Sequence, residues 1–272
     1  MPTTITSVSN PKIKYLRSLR DARLRRQEGV YFIEGVRLVE AALEADLEPR
    51  LAMIEAAHLD ATERGKALAA RLLGLEYQGK LELLYVDDRV MQAVSDTVTP
   101  SGVLAVVPER PFDASQLGRF VLVLDHLQDP GNVGTILRSA EASGVVSSVV
   151  AVESADLYSP KVVRAAMGAH FYLPIWSDDV TWPLLVERLG ERPVLATRAG
   201  KGKPYYEVDW RRELALVVGS EAHGLSPEAA AAATEWVTIP MAGHAESLNA
   251  SVAASILVFE AGRSHFRGGT TC

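Results

Sequence analysis

Three stretches of the chain hold polar side chains at spacings that suggest a shared site. The first, Asp125-His-Leu-Gln-Asp-Pro-Gly-Asn-Val-Gly-Thr-Ile-Leu-Arg138, carries Asn132, Gly134 and Arg138. The second, Leu216-Val-Val-Gly-Ser-Glu-Ala-His-Gly-Leu-Ser226, carries Gly219, Glu221 and Gly224. The third, from Ile239 to Glu260, carries Pro240, Gly243, Ser247, Leu248, Asn249 and Ser251. Amides, a carboxylate and hydroxyls can orient one another or a ligand by hydrogen bonds. A guanidinium, with a pKa above about 12, is a poor base at neutral pH but stabilises developing negative charge. Each residue also has a plainer reading. Asn132, Ser247 and Asn249 sit where helix starts need caps, Arg138 is a helix surface charge, and Glu221 is a loop acid.

The elements that would position these residues are legible in the apolar pattern. Continuous apolar runs at Val121–Leu124, Val149–Val152, Val194–Ala196 and Leu214–Val218 read as strands of a buried parallel sheet, with a shorter strand at Glu235–Ile239. Helices are expected near Asn132–Ser143, Ser159–Met167, Trp182–Leu189 and Pro227–Ala233. Ser247 is expected to open a long helix that runs to about Gly262, and its many Ala and Ser residues would let another backbone come close. Ahead of this region, four short strands alternate with helices, which suggests a small α/β domain. Its first helix is expected to run from about Pro11 to Gln27. Pro108-Glu-Arg-Pro111 reads as a linker. The expected layout is therefore 1–107, a linker at 108–117, a second domain at 118–262, and a polar, frayed tail at 263–272.

Composition narrows the chemistry. The 272 residues carry a formal charge of −6, yet residues 11–26 hold seven basic side chains against one acid, Asp21. On a helical wheel the seven do not share one face. Laid along a nucleic acid they would contact phosphates and make binding salt-sensitive. Cys272 is the only cysteine, so an internal disulfide and a cysteine metal cluster are excluded. The six histidines show no His-Glu-x-x-His pair. No apolar run reaches the roughly 18 residues of a membrane span, and Met1–Thr6 has no secretory pattern, so a cytoplasmic protein is expected. Gly131-Asn-Val-Gly134 lacks the G-x-G-x-x-G spacing, which argues against a nucleotide-dependent oxidoreductase.

In order and spacing, the three stretches resemble the motifs of the SpoU-type (TrmH-like) RNA ribose 2′-O-methyltransferases, in the knotted SPOUT class. The resemblance covers residues 118–262. It implies an α/β fold: a SPOUT-type parallel sheet with a trefoil knot, preceded by a small L30e/L7Ae-like α/β substrate-binding domain. Asn10-Pro11 and Glu34-Gly35-Val36-Arg37 resemble that domain more loosely. It also implies S-adenosylmethionine as methyl donor and no metal. Gly219, Ile239 and Leu248 would line the adenine slot, largely through main chain, with Thr197 as a weaker addition. Asn132, Arg138, Glu221, Ser247 and Asn249 would form the catalytic set. Arg138 would either help deprotonate the ribose 2′-hydroxyl or stabilise the forming alkoxide, and the sequence leaves both open. Lys161 and Arg164 would hold RNA phosphates or simply face solvent. The resemblance further implies a homodimer and an RNA substrate, first of all 23S ribosomal RNA. The alternatives are a transfer-RNA 2′-O-methyltransferase and a catalytically silent RNA- or ribosome-binding protein on the same fold.

Overall fold

A computed structural model describes residues 3–113, 115 and 117–267. They fall into two compact units: Met1–Glu109 with Tyr158–Arg164, and Arg110–Leu157 with Ala165–Cys272. The first unit carries strands β1 (Val30–Glu34), β2 (Leu51–Ile54), β3 (Glu82–Tyr85) and β4 (Val103–Pro108), in the sheet order β1-β4-β2-β3. Its helices are α1 (Pro11–Ser18), α2 (Ala22–Glu28), α3 (Val36–Glu44), α4 (Ala56–Asp60), α5 (Glu63–Tyr77) and α6 (Asp88–Val94). Its core joins Ile13 and Leu16 of α1 to Met53, Leu104 and Met91.

The single basic helix expected over Pro11–Gln27 is instead two. Asp21 accepts the Arg23 amide at 2.8 Å and caps a new helix, so α1 ends and α2 begins around it. Tyr158–Arg164 also groups with this unit. The Tyr158 ring lies 5.1 Å from that of Tyr31, and Arg164 is 3.8 Å from the Asp96 carboxylate.

The second unit is built on seven parallel strands: β5 (Phe120–Asp125), β6 (Ser148–Val152), β7 (Ile175–Trp176), β8 (Val194–Thr197), β9 (Lys203–Pro204), β10 (Leu214–Val218) and β11 (Glu235–Thr238). Their order is β7-β6-β5-β10-β8-β11-β9. Every residue of β5, β6 and β10 is buried, as a parallel sheet covered on both faces requires. Its helices are α7 (Pro130–Ser143), α9 (Trp182–Leu189), α10 (Pro227–Ala232) and α11 (Ala250–Arg267), with short 3-10 turns at Ala169–Phe171 and Tyr205–Glu207, while α8 (Pro160–Ala166) has its residues up to Arg164 in the first unit. The two-residue strands β7 and β9 are too short to show a period in sequence.

Helix α7 starts two residues earlier than expected. Asp129, not Asn132, is its cap: the Asp129 side chain accepts the Asn132 amide at 2.8 Å, and Pro130 takes the first turn. Val133, Ile136, Leu137 and Ala140 form its buried stripe, and Gly144 ends it at φ 65°. Helix α11 starts later than expected, at Ala250, and runs past Gly262 to Arg267. Residues 268–272, with Cys272 and the rest of the expected tail, lie outside the described residues. The small residues of α11 do bring it close to α7, where the Ser139 and Ser255 hydroxyls meet at 2.7 Å.

Asp125 holds the end of β5 in place. It is fully buried. It accepts hydrogen bonds from the Trp182 indole at 2.9 Å and from the amide and hydroxyl of Ser226 at 2.7 and 2.9 Å. Ser226 in turn caps α10 through the Ala229 amide. Among the described residues no helix is long and apolar enough to cross a membrane. Replacing Asp125 by Ala leaves buried donors unsatisfied and should destabilise the second unit by about 2–3 kcal/mol. A urea titration should read this as a lower midpoint at unchanged slope. An unchanged midpoint would remove Asp125 from this role.

Candidate active site

The seven strands are parallel, so their carboxyl ends lie along one edge of the sheet, where ligands bind in open α/β folds. The first stretch leaves β5, the second leaves adjacent β10, and the third follows β11; Thr197 ends β8. Sequence spacing alone does not reveal this convergence; strand order does.

Gly219 to Gly224 forms a tight turn closed by two backbone bonds. Ser220 N–H donates to Gly224 O at 2.9 Å, and Gly224 N–H donates to Ser220 O at 2.8 Å. Gly224 has φ 70°, and a Cβ on Gly219 would lie 2.4 Å from the Gly224 carbonyl oxygen. Both glycines are therefore demanded by the turn.

At the turn, Oε1 of Glu221 accepts three hydrogen bonds from two distant segments. Asn132 Nδ2 donates at 2.8 Å, Asn249 Nδ2 at 2.6 Å and the Ala250 amide at 2.9 Å. Asn249 Nδ2 also reaches Asn132 Oδ1 at 3.0 Å. The orientation of Asn249 follows from its other end. Its Oδ1 caps α11, accepting the amides of Ser251 and Val252 at 2.9 and 3.2 Å and the Ser251 hydroxyl at 2.6 Å. The cap expected of Ser247 is thus made by Asn249. Glu221 adds a negative charge at the positive end of the helix.

Beside this cluster lies a cleft of about 450 Å3. Thr197, Gly219, Ile239, Ser247 and Leu248 all line it, with Leu257 of α11. A second hollow of about 700 Å3 shares the Ser220–Leu225 turn and is lined by His126, Gln128 and Asn132. Arg138 joins neither the Glu221 cluster nor these linings. It is exposed, and no ion pair or hydrogen bond of its side chain is found among the described residues. Six residues beyond Asn132, it projects about 120° away around the helix.

Sequence reasoning missed three contributors. Asp129 caps α7 and leaves the Asn132 side chain free for Glu221; the Asp-Pro pair was a signal for it. Arg198 lines the cleft with its guanidinium 5.4 Å from the centre of the Trp236 ring. His126, at φ 55°, lies between two carboxylates, with Nδ1 3.1 Å from Asp125 and Nε2 3.0 Å from Glu153. Burial opposes its charged form, but the hydrogen bond and charge of Asp125, then those of Glu153, outweigh burial and raise its pKa.

A cleft at the carboxyl edge of a parallel sheet, with an amide–carboxylate cluster at its mouth, defines an α/β enzyme domain. Residues 119–259 match the SpoU rRNA Methylase family and residues 10–105 the MRM3-like substrate binding domain, so this chain belongs to the SpoU methyltransferases. An uncharacterized tRNA/rRNA methyltransferase of Synechocystis is 34% identical over 271 residues, covering 98% of this chain and 96% of the relative. The 23S rRNA (guanosine(2553)-2′-O)-methyltransferase RlmP of Bacillus subtilis is 30% identical over 266 residues, covering 97% and 99%. The crystal structure of an AdoMet-bound rRNA methyltransferase from Sinorhizobium meliloti superposes with a TM-score of 0.79 at 29% identity, covering 96% of this chain and 98% of that one.

Because Glu221 is exposed, its three bonds contribute only about 1 kcal/mol each at most. Glu221→Ala should therefore change global stability by no more than about 3 kcal/mol. It should nonetheless speed amide exchange at Ala250, the first residue of α11. Exchange at the wild-type rate would mean the carboxylate does not hold the helix start.

Proposed function

We propose that this chain methylates the 2′-hydroxyl of a ribose in 23S ribosomal RNA, with S-adenosylmethionine as donor. The observation that carries the reading is the Asn132–Glu221–Asn249 cluster at the mouth of the cleft lined by Gly219, Ile239 and Leu248. The donor, when bound, supplies a methyl group on a cationic sulfur. The cleft fits its flat adenine: Ile239 and Leu248 give apolar walls, and the Gly219–Gly224 turn offers main-chain polar groups.

The remaining tasks belong to protein groups. Asn132 and Asn249, oriented by Glu221 beside the cleft, hold the sugar, and Ser247 stands in the cleft wall. The hollow beside Asn132 gives the target nucleotide room. Arg138 stands outside the cluster and both hollows, so its part rests on the motif resemblance, which assigns it the ribose hydroxyl and the adjacent phosphate. There it stays protonated and stabilises the negative charge that develops on the oxygen as the methyl group arrives, while the hydroxyl proton leaves to solvent water. Approach and orientation of the hydroxyl supply much of the acceleration.

RNA as substrate is supported by the relatives and by the charge pattern. Arg17 and Arg23 are exposed on α1 and α2, beside a hollow of about 560 Å3. Of the seven bases of residues 11–26 six are exposed, whereas Arg25 is buried and donates to the Leu19 carbonyl; the rest of the chain holds 33 acids and 21 bases. The proposal includes a cytoplasmic homodimer. Val252 and Phe259, seven residues apart on one face of α11, are 46% and 43% exposed, a greasy stripe suited to a second copy. It also includes the trefoil knot, which is supported by the insertion of β10 between β5 and β8 and the return of α11 to α7.

Labelled donor incubated with 23S ribosomal RNA should place methyl groups on a ribose oxygen at a discrete nucleotide. Arg138→Ala should lower that transfer at least about 100-fold while donor affinity by calorimetry is unchanged. Methyl groups on a base would defeat the proposal, and lost donor affinity with normal turnover would defeat the role given to Arg138.

A further inference from the structure

We propose that Arg198, which lies over the Trp236 ring in the wall of the cleft, receives the carboxylate of the donor's amino-acid tail. The inference rests on the reading of this cleft as the donor site, and it assigns a recognition role that sequence patterns alone did not suggest.

The tail of S-adenosylmethionine is a zwitterion. An ionised carboxylate that leaves water needs charge-assisted donors to replace its hydration. The cleft offers few. Among its lining side chains only Arg198 carries a permanent positive charge. Glu221, also in the lining, repels a second carboxylate. A helix start is the usual alternative, because its first amides point outward unpaired. Here the amides of Ala250, Ser251 and Val252 are already taken by Glu221 and Asn249. The first turn of α11 therefore has none of these donors left for a ligand.

Arg198 is built for the task. Its backbone amide donates to Val237 O at 3.0 Å, which fixes the residue at the end of β8 next to Thr197. Its guanidinium lies over the Trp236 ring at 5.4 Å. A guanidinium over an aromatic face is held there by cation–π attraction, which uses none of its N–H donors and so leaves them for a carboxylate. No carboxylate of the described residues pairs with it. An arginine held in place yet without an anionic partner, in the wall of an otherwise uncharged or acidic cleft, lacks one component, and a carboxylate supplies it.

The test is calorimetric and needs no RNA. S-adenosylhomocysteine and its decarboxylated analogue are titrated into the wild-type chain, Arg198→Gln and Arg198→Lys. Wild type should prefer the carboxylate-bearing ligand by about tenfold or more. Arg198→Gln should abolish the preference by weakening only the carboxylate-bearing ligand, and Arg198→Lys should retain part of it. Wild-type indifference to the carboxylate, or a preference undiminished in Arg198→Gln, would overturn the assignment. Failure of both ligands to bind the wild-type chain would instead overturn the donor-site reading beneath it. Arg198 is exposed, so its replacement should leave the fold intact.

Discussion

One carboxylate oxygen joins what the chain keeps far apart. Oε1 of Glu221 takes hydrogen bonds from Asn132, 89 residues upstream, and from Asn249, 28 residues downstream, along with the Ala250 amide. Three amide N–H donors on a single oxygen suit a carboxylate, whose charge strengthens each bond and whose place at a helix start is favoured by the helix dipole. The bonds face solvent and add little to global stability. What they do is remove freedom: three loops that would otherwise sample positions independently share one arrangement. Asn249 is the hinge of that arrangement, since the same side chain caps α11 with its oxygen and reaches Asn132 and Glu221 with its nitrogen.

The rigid frame beneath this cluster comes from the sheet. Parallel strands send their carboxyl ends to the same edge, and the order β5-β10-β8-β11 sets the four site-bearing loops side by side. The buried Asp125 ties the end of β5 to Ser226 at the start of α10 and to Trp182 of α9, so the first and second stretches are linked beneath the surface as well as above it. Gly219 and Gly224 allow the backbone of the intervening turn to close tightly enough for Glu221 to project from its tip. Precision at the mouth of the cleft thus depends on apolar strands that touch no ligand.

Much of this was legible in the residue pattern. Continuous Val/Leu runs announced a parallel sheet, and the three polar stretches that resemble SpoU motifs marked the loops that meet at its edge. Thr197, Gly219, Ile239 and Leu248, read as donor contacts, line one cleft. Legibility failed where two residue types compete for one job. Asn132 and Ser247 are both good caps by type, yet Asp129 and Asn249 do the capping, because an acid before Pro130 and an amide directly before the first helical turn are better placed. The basic run at residues 11–26 reads as one helix until Asp21 is seen to start a second. Arg198 could not be found from sequence at all: its meaning lies in a ring across the strand pair β8–β11 and in the lack of another Lys or Arg among the described residues that line the cleft.

The claim that the cluster works as a unit is tested most directly by a double-mutant cycle on methyl transfer. Asn132→Ala and Glu221→Ala, alone and together, are compared by kcat/KM on the same RNA. If one shared oxygen organises both, the double variant will be about as impaired as the worse single one. Losses that simply multiply would mean the two residues act independently, and the account of a single organising carboxylate would be wrong.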